Sequence, residues 1–92
     1  MSVFIGDIGV KIILEVGISI TTATERKIRY RKPSGEIGLW TASQETSTSI
    51  SYTTIAATDL NEVGRWFLQA YVVTPSWTLN GKITWFKVLS TI

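Results

Sequence analysis

The stretch that decides the fold is residues 59–73, DLNEVGRWFLQAYVV. Polar, turn-forming residues lead to Gly64, and a run rich in aromatic and aliphatic side chains follows. An acidic residue and a short turn that enter a late strand through Gly-x-aromatic are typical of Ig-like sandwiches, where the aromatic ring closes the corner between two sheets. Asp59, Gly64 and Trp66 match this arrangement, with Trp where Tyr is commoner.

The strand after Gly64 is predicted to be apolar on both faces. Successive side chains of a strand point to opposite sides of the sheet. The inward positions are then Trp66, Leu68, Ala70 and Val72, and the outward positions are Arg65, Phe67, Gln69, Tyr71 and Val73. This outward set is not a typical solvent face, so either the domain itself or a partner is expected to cover it.

The rest of the chain alternates in the same way. β-branched and aromatic residues are abundant, and helical periodicity is missing. Further strands are predicted at residues 10–16, 27–32, 37–42, 46–55 and 82–89, with a kinked extension at 18–21. Trp40 and Tyr52 are assigned to the core together with Trp66 and Leu68. About seven short strands at turn spacings of roughly 8 to 12 residues predict one all-β domain over residues 1–92, an Ig-like antiparallel β-sandwich.

The composition limits the possible functions. The 92 residues are 45% hydrophobic and 17% charged, the net charge is +2, and there are four Trp residues. The fraction of charged residues is below the roughly 25% of an average soluble domain, which favours a subunit of an assembly. The absence of Cys and His excludes a disulfide scaffold, a thiolate zinc site and the usual general base.

The acidic residues do not suggest a catalytic site. The seven carboxylates are scattered, and neither a phosphate loop nor a dinucleotide fingerprint is present. Asp59 and Glu62 straddle a turn, where they could share a hard cation or simply cap the turn and face solvent. We therefore expect a protein that is not an enzyme, with no catalytic residue, no metal site and no cofactor.

A row of cations marks residues 27–31. Alternation places Lys27, Arg29 and Arg31 on one strand face, and Arg26 and Lys32 are expected to extend the row. Three interpretations are open: a solvated face that discourages edge pairing, a docking surface for an acidic protein, or a nucleic-acid contact.

The outward aromatic residues are the strongest interface candidates. If the strands that carry Phe67, Tyr71 and Trp85 are neighbours, their outer faces form one aromatic patch. The predicted partner interface comprises Phe67, Tyr71, Trp85, Trp77, Lys27, Arg29 and Arg31. Alternatively, the N-terminal segment or the loop with Trp77 folds over the patch.

Three segments carry a family resemblance: RYRKPSGEIGLWTA (residues 29–42), SYTTIAATDLNEVGRWFLQAYV (51–72) and ITWFKVL (83–89). Together they resemble small Ig-like domains of tailed-bacteriophage structural proteins. The similarity is to the N-terminal domain of baseplate upper proteins and to single-domain virion proteins, over residues 6–89. The resemblance implies a non-enzymatic adaptor or decoration subunit of a phage tail, baseplate or head.

The partners implied by the resemblance are other virion proteins and copies of the chain itself, without membrane contact. No signal peptide is visible, so the expected location is the virion, after synthesis in the host cytoplasm. One alternative is a module that binds carbohydrate or a host surface, with Trp77 or Trp85 stacked on sugars. Another is a β-barrel that binds single-stranded nucleic acid. The small net charge, and the wide sequence separation of the cation and aromatic rows, make nucleic acid the weaker alternative.

Overall fold

The computed structural model describes residues 3–91, which form nine β-strands and no helix. The strands are β1 Val3–Phe4, β2 Lys11–Glu15, β3 Glu25–Arg31, β4 Ile37–Thr41, β5 Ser43–Thr46, β6 Ser49–Thr53, β7 Gly64–Val73, β8 Thr78–Asn80 and β9 Thr84–Leu89. Within this part of the chain there is accordingly no helical segment that could cross a bilayer.

The strands form two sheets. The larger sheet has the order β1-β9-β7-β3-β4, with β8 paired to the end of β7, and the smaller sheet has the order β2-β6-β5. All pairs are antiparallel except β1 with β9. Between β4 of the larger sheet and β5 of the smaller sheet the connection is the single residue Ala42, whose amide donates to the carbonyl of Arg26 at 2.9 Å. The predicted all-β sandwich is confirmed.

The strand that begins at Gly64, β7, lies at the centre of the larger sheet. It pairs with β3 along seven residues on one side and with β9 on the other. Its inward side chains Trp66, Leu68, Ala70 and Val72 are all buried. The alternation of β7 therefore fixes which side of the larger sheet packs against the smaller sheet.

Stacked aromatic rings join the two sheets at the centre of the core. The ring of Trp40 lies 4.9 Å from that of Tyr52 on β6 and 6.1 Å from that of Trp66 on β7. The Tyr52 hydroxyl donates to Asp59 Oδ2 at 2.9 Å. Desolvation, with this hydrogen bond to a carboxylate as the next cause, raises the pKa of Tyr52 to about 12. Tyr52 is therefore a neutral, hydrogen-bonded part of the core.

The structure departs from the sequence prediction in its shortest strands. The strands β1, β5 and β8 are two to four residues long and were not predicted as separate strands. Residues 18–21 are not a strand, although Ile20 is fully buried and its amide donates to the carbonyl of Ser47 at 2.8 Å. Segments this short show no period of their own, and pairing with distant strands determines their conformation.

Tyr30 lies across a glycine of the neighbouring strand. It pairs with Gly38 in register, and a Cβ atom added to Gly38 would collide with the Tyr30 phenol ring. That ring also lies 4.6 Å from the ring of Trp40 and 5.5 Å from that of Trp66, so it has little freedom to move.

We expect Gly38→Ala to lower the free energy of unfolding by about 1–3 kcal/mol, the usual cost of overpacking. Urea denaturation followed by circular dichroism measures this change. In a Tyr30→Leu background the same substitution should cost little, because the colliding ring is gone and alanine is otherwise favoured over glycine within a strand. An equal loss in both backgrounds would contradict the proposed contact.

Candidate binding site on the outer face of the larger sheet

The side of the larger sheet that faces away from the smaller sheet is called here the outer face. It carries Lys27, Arg29 and Arg31 from β3, Arg65, Phe67, Gln69 and Tyr71 from β7, and Trp85 and Lys87 from β9. The strands β3, β7 and β9 are direct neighbours, and Phe67 pairs in register with both Arg31 and Trp85. The cation row and the aromatic row, which are far apart in sequence, therefore lie side by side.

Each of three arginines on this face lies over an aromatic ring. The guanidinium carbon of Arg29 is 4.6 Å from the ring centroid of Tyr71. Arg31 lies 4.8 Å from the ring centroid of Phe67, and Arg65 lies 4.2 Å from that of Trp85. Each such contact contributes about 0.5–1 kcal/mol at an exposed site and restricts the position of the guanidinium group.

The three arginines are not neutralised by carboxylates within residues 3–91. The ion pairs of this region join Lys11 to Glu45, Lys27 to Glu25 and Lys32 to Glu36. Glu25 is also the one acidic residue in the sequences of β3, β4, β7 and β9. The outer face therefore carries a strong excess of positive charge, although the whole chain has a net charge of only +2.

Exposed apolar side chains surround the cations. Ile37 is 71% exposed, Ile83 60%, Trp85 53% and Leu39 52%. Ile37 and Ile83 line a groove of about 230 Å³, and Gln69, which also lines it, donates from Nε2 to the carbonyl of Gly81 at 3.0 Å. The other residues along the groove are Arg29, Tyr30, Arg31, Phe67 and Leu68. The outer face thus combines an apolar groove with the cations of β3.

Two cations predicted to extend the row do not belong to it. Arg26 is half-buried on the opposite side of β3 and donates from Nη2 to the carbonyl of Ala23 at 3.1 Å. Lys32 is 8% exposed and bonds to Glu36 at 2.7 Å. This hydrogen bond to Glu36 is the main cause of the raised pKa of Lys32. The prediction for Arg26 and Lys32 is wrong because both occupy even positions of the alternation, which point inward.

Trp77 is half-buried and packs against the core. Its amide donates to Thr74 Oγ1 at 3.1 Å, in the short connection between β7 and β8. Its predicted role as an interface residue gains no support from this position.

The two carboxylates considered for a cation site each hold a turn instead. Asp59 Oδ2 accepts hydrogen bonds from the amide of Ile55 and from the Tyr52 hydroxyl, both at 2.9 Å. Glu62 accepts from the amide of Ser34 at 3.0 Å and from its hydroxyl at 2.9 Å. The described residues contain no group of three or more His, Cys, Asp or Glu side chains placed to hold a metal ion.

Arg65 and Lys87 belong to the outer face but were not predicted as site residues. They are opposite one another in the β7–β9 pair, and both are exposed. The alternation of side chains along each strand gives both residues an outward position, and this is the sequence signal that could have identified them. Their proximity became apparent only from the pairing of strands about 20 residues apart, which sequence patterns do not specify.

Comparison with known proteins gives a match in structure alone. No family model matches the sequence, and no curated protein matches it. The crystal structure of CopC from Methylosinus trichosporium OB3b is similar, with a TM-score of 0.63 and 12% sequence identity. The similarity covers 97% of this chain and 84% of that chain. At this identity the likeness establishes the shared β-sandwich fold and carries no residue roles.

The prediction of a bacteriophage virion subunit is wrong. The similar structure found, CopC, is not a phage structural protein, and neither family models nor curated proteins provide a phage relative. The assignments to a tail, baseplate or head and to a decoration protein depend on that prediction and are wrong as well. The β-sandwich fold that the resemblance implied is confirmed.

Proposed function

We propose that this domain is a non-enzymatic protein-binding module, and that its outer face binds an acidic surface with an apolar centre on another protein. The observation that carries the proposal is the set of three arginine–aromatic contacts, Arg29–Tyr71, Arg31–Phe67 and Arg65–Trp85, on adjacent strands. Arg, Tyr and Trp are the residues that most often dominate binding energy at protein interfaces.

Charge supports an acidic partner. Five cations lie on the outer face, namely Lys27, Arg29, Arg31, Arg65 and Lys87, against the single carboxylate of Glu25. A surface of one sign speeds association with a partner of the opposite sign and excludes partners of its own sign. Because stacking already orders the guanidinium groups, less side-chain entropy is lost when a partner carboxylate binds them.

The apolar side chains favour a protein over a nucleic acid. A strand of nucleic acid would stack its bases on open aromatic rings. Here Phe67 and Tyr71 are half-buried, and each has an arginine over its ring. Ile37 and Ile83 are exposed and branched, and neither phosphates nor base edges offer them a matching surface. A protein interface with an apolar centre and a charged rim accommodates both features.

The same charge argues against self-association through this face. In a two-fold symmetric dimer each patch contacts its own copy. Five cations would then face five cations across a desolvated interface, which is unfavourable. A different protein with the opposite charge is the better partner.

Selection from a random peptide library on the immobilised domain tests the proposal. We expect enriched peptides that interleave Asp or Glu with large apolar residues. They should bind the wild-type domain and a Lys11→Gln control, whose change lies in the smaller sheet. Enrichment that is equal on an Arg31→Gln, Arg65→Gln double variant would contradict the proposal. Tight, salt-dependent binding of oligothymidylate without any acidic peptide would also overturn it, in favour of nucleic acid.

A further inference from the structure

We propose that one end of the outer face is a binding site for a tetrahedral oxyanion, a phosphate or sulfate group. A depression of about 510 Å³ lies where β3 ends and the following turn begins. Three cations with exposed side chains converge on it: Arg31, Arg65 and Lys87. Pro33 and Gly35 of the turn also line it. These residues are called here the oxyanion site.

Two of the cations lie close enough to repel one another. Arg65 and Lys87 are directly opposite one another on neighbouring strands, an arrangement that destabilises a sheet when the charges are alike. The ion pairs formed within residues 3–91 include neither of them. A bound anion between them would turn this repulsion into two attractions.

The guanidinium groups are held in place before any ligand arrives. Arg65 lies over the ring of Trp85 at 4.2 Å, and Arg31 lies over the ring of Phe67 at 4.8 Å. No ion pair within residues 3–91 includes either arginine, so their N–H groups are available to a ligand. Planar N–H donors at fixed positions suit the oxygens of phosphate and sulfate.

The charge count favours a dianion over a single carboxylate. Lys32 also lines the depression, but its charge is already offset by Glu36 at 2.7 Å. Nearby Glu62 accepts hydrogen bonds from the amide and the hydroxyl of Ser34, which are neutral, so it keeps its negative charge. The three exposed cations and this one carboxylate leave a net charge of about +2 around the depression. A phosphate monoester, which carries a charge of about −1.5 to −2 at pH 7, matches that net charge.

The oxyanion site lies at the end of the outer face. A role for it in recognising a partner protein that carries a phosphate or sulfate ester therefore rests on the proposed function. The binding of the anion can be measured on the domain alone. The same oxyanion could be a free ion or an ester on a partner side chain. Inorganic phosphate and phenyl phosphate separate these two sources, because only the ester brings an apolar group to Phe67, which also lines the depression.

Thermal unfolding and calorimetric titration at constant ionic strength test the site. We expect inorganic phosphate to raise Tm in a saturable way, while chloride does not. Lys87→Gln should raise Tm in the absence of phosphate, because the repulsion from Arg65 is removed. The same substitution should weaken phosphate binding about tenfold, because one charged hydrogen bond to the anion is lost. The matched control Lys11→Gln should bind phosphate like the wild type.

Each outcome decides the proposal. Tighter binding of phenyl phosphate supports an esterified partner, and equal binding of both ligands supports a free ion. No saturable binding would overturn the site, as would equal phosphate binding by the Lys87→Gln variant. Saturable phosphate binding without acidic peptides in the selection would reject the proposed function and leave the site standing. Peptide binding without phosphate binding would reject the oxyanion site and leave the proposed function standing.

Discussion

Trp66→Ala should lower the free energy of unfolding by about 3–5 kcal/mol, the usual cost of removing a fully buried aromatic side chain. Trp66 has no exposed surface, and its ring lies 6.1 Å from that of Trp40 and 6.3 Å from that of Phe86. Its Nε1 also donates to the carbonyl of Glu62 at 2.9 Å, so the substitution leaves that acceptor without its indole donor. Since domains are stable by only about 5–15 kcal/mol, the variant should be close to unfolding at room temperature.

Trp85→Ala is the matched control for this substitution. Trp85 lies one strand away on β9 and is 53% exposed, so its loss should change the unfolding free energy by about 1 kcal/mol or less. Urea denaturation at 25 °C, followed by far-UV circular dichroism, compares the two variants. If both lost the same stability, the assignment of Trp66 to the centre of the core would be wrong.

The fold was predictable where the sequence alternates over five or more residues. The inward set of β7 and the outward row Lys27, Arg29 and Arg31 on β3 followed from side-chain direction alone. The short strands β1, β5 and β8 were not predictable in this way, because two to four residues carry no period. Ile20 shows the same limit, since it is fully buried in a segment that is not a strand.

The outer face was predictable in part. Alternation assigned Arg31, Phe67 and Trp85 to outward positions, and the structure places them side by side. The stacking of Arg65 on Trp85 depends on the register between β7 and β9, which turns and tertiary packing set. The phage resemblance rested on short motifs such as Gly-x-Trp, which correspond here to the strands and turns of the sandwich. A resemblance built from fold-determining residues carries information about the fold and little about function.

The double variant Arg31→Gln, Arg65→Gln should lose most of the affinity for an acidic peptide selected on the wild-type domain. Each arginine supplies a charge and lies over a neighbouring ring, at 4.8 Å for Arg31 on Phe67 and 4.2 Å for Arg65 on Trp85. Truncation of a dominant interface residue typically costs about 2 kcal/mol or more. If one arginine contributes about 2 kcal/mol and the other about 0.8 kcal/mol, the sum of about 2.8 kcal/mol corresponds to a hundredfold loss.

The double variant Lys11→Gln, Lys82→Gln is the matched control, since it removes the same two positive charges. Lys11 lies on β2 of the smaller sheet, and Lys82 lies in the loop before β9. Neither residue lines the groove or the depression of the outer face. This control should bind within about threefold of the wild type, because neither lysine lines the groove or the depression and salt screens the charges of exposed side chains. Circular dichroism of both double variants should match the wild type.

The most direct test of the outer face as a binding site is the calorimetric affinity of the selected peptide for these two double variants at one ionic strength. We predict a loss of about a hundredfold or more for Arg31→Gln, Arg65→Gln, with near wild-type binding by Lys11→Gln, Lys82→Gln. Equal losses in both variants would show that net charge alone attracts the peptide. No loss in either would show that the peptide binds elsewhere. Both results would contradict the assignment of the outer face.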